Sequence, residues 1–185
     1  LHPAGVIPWK VLSESVLLDR KWLRVRQQRV LLPNGHVIDE FHLLDGASWA
    51  AVLPITDDGQ VVLVEQYRHG LGRPSLELPA GVIEPGEPPE SAARRELLEE
   101  TGWAASGELE LLMDISPEPA RHTYRAWLFA ARGVHYQRAA EPERSEQLTV
   151  RLVPGRELVE MACRGEVQHG VHVGAILMAA RRGML

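Results

Sequence analysis

The chain has 185 residues, with 20 Lys+Arg against 25 Asp+Glu and a formal net charge of -5. Its 45% hydrophobic and 24% charged residues suit a folded globular domain and argue against disorder. The acidic balance disfavours nucleic acid as a partner, and no apolar run approaches the ~20 residues of a membrane span. A single cysteine, Cys163, excludes an intrachain disulfide and a cysteine-rich zinc site. With no visible signal peptide, these features lead us to expect a cytoplasmic protein with no membrane partner, although the chain begins without Met.

Residues 11–18 and 22–32, rich in Val and Leu, read as strands. Pro33-Asn34-Gly35 is a turn signal, because Asn and Gly tolerate positive φ. Residues 36–44 then read as the returning strand. We expect residues 1–46 to form a small antiparallel β domain. So small a sheet is marginal alone, so it should pack on the rest of the chain or on a second copy in a homodimer. Residues 47–185 form the second expected domain. Strands are predicted at 49–55, 61–64 and 76–78, with Asp57-Asp58-Gly59 as a turn. Residues 79–89 hold four prolines and two glycines and read as a loop. A helix is predicted over 91–101, stopped by Gly102. Strands follow at 108–114, 124–131 and 148–153, then helices at 156–164 and 171–181. Strands with segregated helices predict an α/β or α+β fold with a mixed sheet.

The helix at 91–101 carries the densest chemistry. Glu96, Glu99 and Glu100 sit at i, i+3 and i+4 and share a face. Like charges at that spacing repel, and the negative end of the helix dipole disfavours them further. A solvated acidic face is the ordinary reading of such a run. A bound divalent cation would turn the repulsion into attraction, since hard cations such as Mg²⁺ take oxygen ligands.

The surroundings decide between these readings. Gly81, five residues, Glu87, seven residues, Arg95-Glu96-Leu97, one residue, Glu99-Glu100, one residue and Gly102-Trp103 together match the Nudix box. Such a pattern should arise by chance on the order of once in 10⁶ chains of this length. The chain therefore resembles a Nudix hydrolase. The resemblance implies an α/β/α sandwich and cleavage of nucleoside diphosphates linked to another moiety, with Mg²⁺ or Mn²⁺ as cofactor. It also implies that Glu96, Glu99, Glu100 and the Ala80 carbonyl bind metal. Arg95 would orient those carboxylates, Glu87 would support them, and Gly81 would start the loop.

Val64-Glu65-Gln66-Tyr67-Arg68, Leu76-Glu77-Leu78-Pro79-Ala80-Gly81 and a proline beyond the box (Pro117 or Pro119) are similar to the ADP-ribose pyrophosphatase branch. That branch implies an N-terminal β domain exchanged across a homodimer. It also implies hydrolysis of ADP-ribose to AMP and ribose 5-phosphate. The stretch Ser116-Pro117-Glu118-Pro119-Ala120-Arg121-His122 departs from the branch's Ser-Pro-Gly, which leaves GDP-mannose or another nucleotide sugar as the competing substrate. Two rival functions also fit a Nudix fold: a non-catalytic nucleotide-binding module and a nucleoside-triphosphate hydrolase.

By the same resemblance, the base that accepts the proton of water lies in the loop before residues 148–153, with Glu146 first and Glu143 second. Arg68 could clamp a phosphate or pair with Glu65 or another carboxylate. Glu77 is taken as a further substrate-binding residue. Trp9, Trp22 and Trp49 could stack on adenine, but core packing is the expectation for each; Trp49 is the preferred candidate. His169 and His172 form an i, i+3 pair that could ligate metal, but lacking carboxylate company they are expected to lie in a solvated connector, and Cys163 in the core.

Overall fold

The computed structural model describes residues 5–142 and 146–185. The chain divides into two compact units. One takes in the N-terminal residues through Ala47 together with Ser116–Arg125, and the other Ser48–Ile115 with Ala126–Leu185.

The first unit is a three-stranded antiparallel sheet of β1 (Lys10–Arg20), β2 (Leu23–Leu31) and β3 (Val37–Asp45), in that order. The β2–β3 turn forms as its residues dictate: Gly35 takes φ 84°, and Asn34 Oδ1 accepts the His36 N–H at 2.9 Å. Arg26 laces the three strands. Its Nε and Nη2 grip Asp45 on β3 at 2.6 and 2.8 Å, and its Nη1 reaches Glu14 on β1 at 2.7 Å. Hydrogen bonds from Arg26 hold the Asp45 carboxyl below the usual carboxylate range. The Ser116–Arg125 segment joins this unit through Leu44, which donates to the Arg121 carbonyl and accepts from the Thr123 N–H.

In the second unit the chain runs β4 (Trp49–Ile55), β5 (Gln60–Arg68), β6 (Arg73–Glu77), β7 (Ala80–Val82), α1 (Pro89–Thr101), β8 (Trp103–Ala104), β9 (Glu110–Ile115), β10 (Ala126–Arg132), β11 (His135–Tyr136), β12 (Leu148–Pro154), α2 (Gly155–Cys163) and α3 (Gly170–Arg181). Seven strands make a mixed sheet with the central order β12-β5-β4-β10-β9, in which β10 runs parallel to β4. Strands β4 and β5 pair only at Ile55 and Val61. Beyond that point β6 pairs with β5 and β7 pairs with β4.

Both faces of this sheet are covered, as the apolar strands require. Ala51, Leu53 and Ile55 of β4 pack with Leu158 of α2 and Ile176 of α3 on one face. Ala50 and Val52 pack with Ala92, Ala93 and Leu97 of α1 on the other. The strand period of two sorts neighbouring residues of β4 into opposite layers. This is the expected sandwich, with α1 alone on its face. Helix α1 starts on Pro89 with Glu90 in its first turn, both suited to a helix N-terminus. It ends at Gly102, whose φ of 75° lets its N–H return to the Leu98 carbonyl.

Four expectations are corrected. Residues 79–89 are not loop throughout, because Ala80–Val82 pairs with β4 as β7. Cys163 is exposed rather than in the core, since it falls on the outer side of α2 while Leu158 and Ala162 are buried. Trp9 and Trp22 are not core residues either, at 46% and 80% exposure: Trp9 precedes β1 and Trp22 lies in the turn between β1 and β2, outside the paired strands. Trp22 is capped by Lys21, whose Nζ lies 4.3 Å from the ring centroid.

Gly102 is required twice. Besides its positive φ, a Cβ there would lie 1.9 Å from the Arg138 carbonyl oxygen. Gly102→Ala should therefore cost about 2–4 kcal/mol, well above an ordinary surface substitution. Thermal unfolding should show a Tm drop on the order of 5–15 °C; an unchanged Tm would contradict the close approach.

Candidate active site

Helix α1 brings Glu96, Glu99 and Glu100 to one place, as their spacing predicts. Glu96 and Glu100 are buried, at 8% and 2% exposure, while Glu99 is more open. Arg95 engages this cluster with every donor it has. Its Nε and Nη2 each reach a Glu87 oxygen at 3.0 Å. Its Nη1 reaches Glu96 at 2.7 Å and Glu99 at 3.1 Å, and Nη2 also donates to the Val82 carbonyl at 3.0 Å. A guanidinium has five N–H donors, and all five are used. Glu87 is held below the usual carboxylate range, first by the Arg95 hydrogen bonds.

Glu100 lies outside Arg95's reach and accepts the Ala80 N–H at 2.9 Å. Burial pushes its carboxyl up to about 8, against the pull of that N–H, and the charges of Glu96 and Glu146 add to the rise. Glu96 is also raised, chiefly by burial, despite its bond to Arg95. Glu146 adds its charge to both Glu96 and Glu100 and strengthens the proton hold of Arg68. Glu146 is therefore close enough for its charge to be felt at both carboxylates. The alternative, Glu143, lies outside the described residues.

The approach of helix to strand explains Gly81. A Cβ at that position would sit 1.9 Å from Glu96 Oε1, so only glycine admits the carboxylate. Residues 137–141 are tied to the helix end: the N–H groups of Gln137 and Arg138 donate to the Gly102 carbonyl, and that of Glu141 to the Glu99 carbonyl.

A cavity of about 520 Å³ opens beside Ala80 and Gly81, where β4 and β5 part. Its walls include Trp49, Arg68 and Glu77, the three proposed substrate-binding residues. Arg68 grips Glu77, not Glu65, through Nε at 3.0 Å and Nη2 at 2.6 Å. Burial pushes the Glu77 carboxyl up, but the Arg68 bonds and charge outweigh it and leave the group below its usual value. Glu65 pairs instead with Arg151 on β12.

Two cavity residues were missed. His169 and His172 are not in a solvated connector: both line the cavity, and His172 is 1% exposed. Their rings stack at 3.9 Å, and Trp49 packs edgewise against each, at 5.4 and 5.8 Å. Their i, i+3 spacing was the available signal, but it does not reveal burial.

The chemistry of this donor set suits a divalent cation. Two buried carboxylates, both with raised proton affinity, lie among further acids, and hard oxygen donors are what such an ion takes. Among the described residues, no three acidic, imidazole or thiol groups converge on one point as arranged; Arg95 holds Glu96 and Glu99, and Glu100 faces Ala80.

A NUDIX domain family model matches residues 46–169, and a nucleoside diphosphate sugar hydrolase N-terminal domain model matches residues 9–44. The chain is 28% identical over 171 residues to an ADP-ribose pyrophosphatase of Mycobacterium tuberculosis, covering 91% of this chain and 82% of that protein. It is 38% identical over 96 residues to an ADP-ribose pyrophosphatase of Bacillus subtilis, covering 52% of this chain and 51% of that one. A crystal structure of an ADP compounds hydrolase is similar with a TM-score of 0.84 and 20% identity, over 98% of this chain and 100% of that chain, which shows a shared fold.

The raised Glu100 carboxyl has a consequence for stability. Its ordinary value is 4.5 and its folded value about 8, so between them the folded chain holds the extra proton. The stability this contributes is fully present below about pH 4.5 and is lost as pH rises through about 8. Glu100→Gln removes the ionisation. In excess chelator at pH 8 it should be more stable than wild type by on the order of 1–3 kcal/mol, the gap closing towards pH 4.5. Urea unfolding at several pH values reads this directly; a gap of the same size at acid pH would refute it.

Proposed function

The chain belongs to the NUDIX family of hydrolases, and we propose that it cleaves the diphosphate bond of a nucleoside diphosphate linked to a sugar. ADP-ribose is the first candidate, with AMP and ribose 5-phosphate as products. The observation that carries this reading is the pairing of a buried carboxylate cluster on α1 with a sugar-nucleotide-sized cavity, both bordered by Ala80 and Gly81. The names of the relatives support the ADP-ribose choice, and GDP-mannose or another nucleotide sugar is the alternative.

In this reading Glu96, Glu99, Glu100 and the Ala80 carbonyl would hold a divalent cation, Mg²⁺ or Mn²⁺. When bound it would neutralise phosphate oxygens and acidify water. The chain's own groups do the rest. Glu146, whose charge raises the Glu96 and Glu100 carboxyls, accepts the proton of the attacking water. Arg95 keeps Glu96 and Glu99 oriented and Glu87 braces Arg95. Trp49, Arg68 and Glu77 bind the part of the substrate that does not react. One water adds across the P–O–P bridge, so each phosphate leaves with an oxygen and the departing oxygen gains a proton.

The reading is tested by a panel of nucleoside diphosphate derivatives with Mg²⁺ or Mn²⁺, products resolved by chromatography. AMP and ribose 5-phosphate should form from ADP-ribose, and chelator should stop the reaction. On the same substrate Glu146→Gln should lower kcat by about 10²- to 10⁴-fold with little change in KM. Wild-type kcat in that variant would remove Glu146 from the base role; no hydrolysis of any diphosphate ester would defeat the reading as a whole.

The N-terminal unit supports a homodimer. Val11, Val16 and Leu17 of β1 are exposed, as are Trp9 just before it and Trp22 in the turn after it, more apolar surface than so small a sheet ordinarily leaves in water. Leu17→Ser with Trp22→Ser should shift sedimentation from dimer to monomer at micromolar concentration. A wild-type monomer under those conditions would end this assignment.

A further inference from the structure

The stacked histidines give the cavity a hydrogen-bonding group that nothing above uses. His172 Nδ1 accepts the Leu78 N–H at 3.3 Å. A neutral imidazole with an accepting Nδ1 carries its hydrogen on Nε2, and complete burial keeps this ring neutral. Among the described residues, that Nε2–H is buried with no hydrogen-bond partner, as is Nδ1 of His169 stacked upon it. Buried donors are rarely left unpaired, and those that are call for an explanation. His169, which lines the cavity, is the N-cap residue of α3, whose start has no side-chain cap and no acidic residue in its first turn. The helix's free N–H groups add donors and the positive end of the helix dipole.

We propose that His172, with His169 stacked on it, binds the sugar carried beyond the diphosphate, its Nε2–H donating to a sugar oxygen. The proposal rests on the reaction assigned above and names the sugar subsite of that pocket. Glu77, which lines the same cavity, explains the choice of a sugar. It already accepts from Arg68 and Ser75 and retains lone-pair capacity for a further donor. An acceptor and a fixed donor in one cavity suit hydroxyl groups, which do both. The cavity's volume is too large for a diphosphate alone and lies within the range of small-molecule sites. Trp49 packs edgewise on both imidazoles and adds an apolar side against which a sugar ring can lie.

The test uses the wild-type protein with ¹⁵N-labelled histidine, in chelator. The Nε2–H signal of His172 is followed as ADP-ribose, ADP β-methyl ester or ribose 5-phosphate is added to millimolar concentration. The two esters share the nucleotide and differ in the sugar. ADP-ribose and ribose 5-phosphate should move the signal and the methyl ester should not. Equal movement with both esters places the nucleoside at His172 and overturns the proposal. No movement with ADP-ribose or ribose 5-phosphate also overturns it, water being then the partner of Nε2–H, while hydrolysis of ADP-ribose would leave the assigned reaction standing. Movement with ribose 5-phosphate in a protein that hydrolyses no diphosphate ester would sink the reaction and keep the sugar site. In kinetics, His172→Asn keeps an acceptor for Leu78, but its amide N–H groups stop short of the Nε2 position. Its preference for ADP-ribose over the methyl ester, as a ratio of kcat/KM, should fall about ten- to hundredfold; an unchanged ratio in a folded variant overturns the proposal.

Discussion

The guanidinium of Arg95 is the interaction on which the site depends. Four glutamates within two helical turns and one loop would repel one another, most severely at a helix C-terminus. Arg95 offsets this with one planar, permanently charged group whose five donors meet Glu87, Glu96, Glu99 and Val82. A lysine has three donors and no fork, so it could not hold the same partners in fixed directions. Because the Val82 carbonyl is among those partners, Arg95 also fastens β7 to α1. That fastening makes the contact between Gly81 and Glu96 possible and sets Ala80 over Glu100.

Glu100 is left outside this arrangement. It is the most buried of the three box carboxylates and receives one backbone N–H where Glu96 and Glu99 receive a cation. The site thus has a braced half and a charge-hungry half. Arg68 offsets the deficit only in part: its charge lowers the Glu100 carboxyl, but its guanidinium is hydrogen-bonded to Glu77. Positive charge supplied from outside would act where it is most needed, which is the physical sense of a cation at this place.

What the sequence revealed was local. Glu96, Glu99 and Glu100 share a face because of helical spacing alone, and Gly102 ends the helix because of its own φ. The N-terminal hairpin followed from Asn34-Gly35. What it concealed was set by distant pairings. His172 is buried because α3 returns to Leu78, 94 residues away, and no window around His172 contains that fact. The cavity exists because β4 and β5 part after Ile55 and Val61, whereas both strands alone look like continuous partners. Trp9 and Trp22 were misjudged for a related reason: a large ring is buried only if a second layer covers it, and the local sequence does not say whether one does.

The close approach at Gly102 bears on how this scaffold can be diversified. The chain from Gln137 to Glu141 is stitched to the helix end at three backbone points, Gly102 itself accepting two of them. Those stitches hold residues 137–141 against the helix end. Loop grafts or insertions meant to alter chemistry here would have to start after residue 141, leaving the stitched stretch intact. A recombination crossover inside residues 137–141 would break those bonds, so such a library should be mostly inactive for reasons unrelated to the grafted side chains.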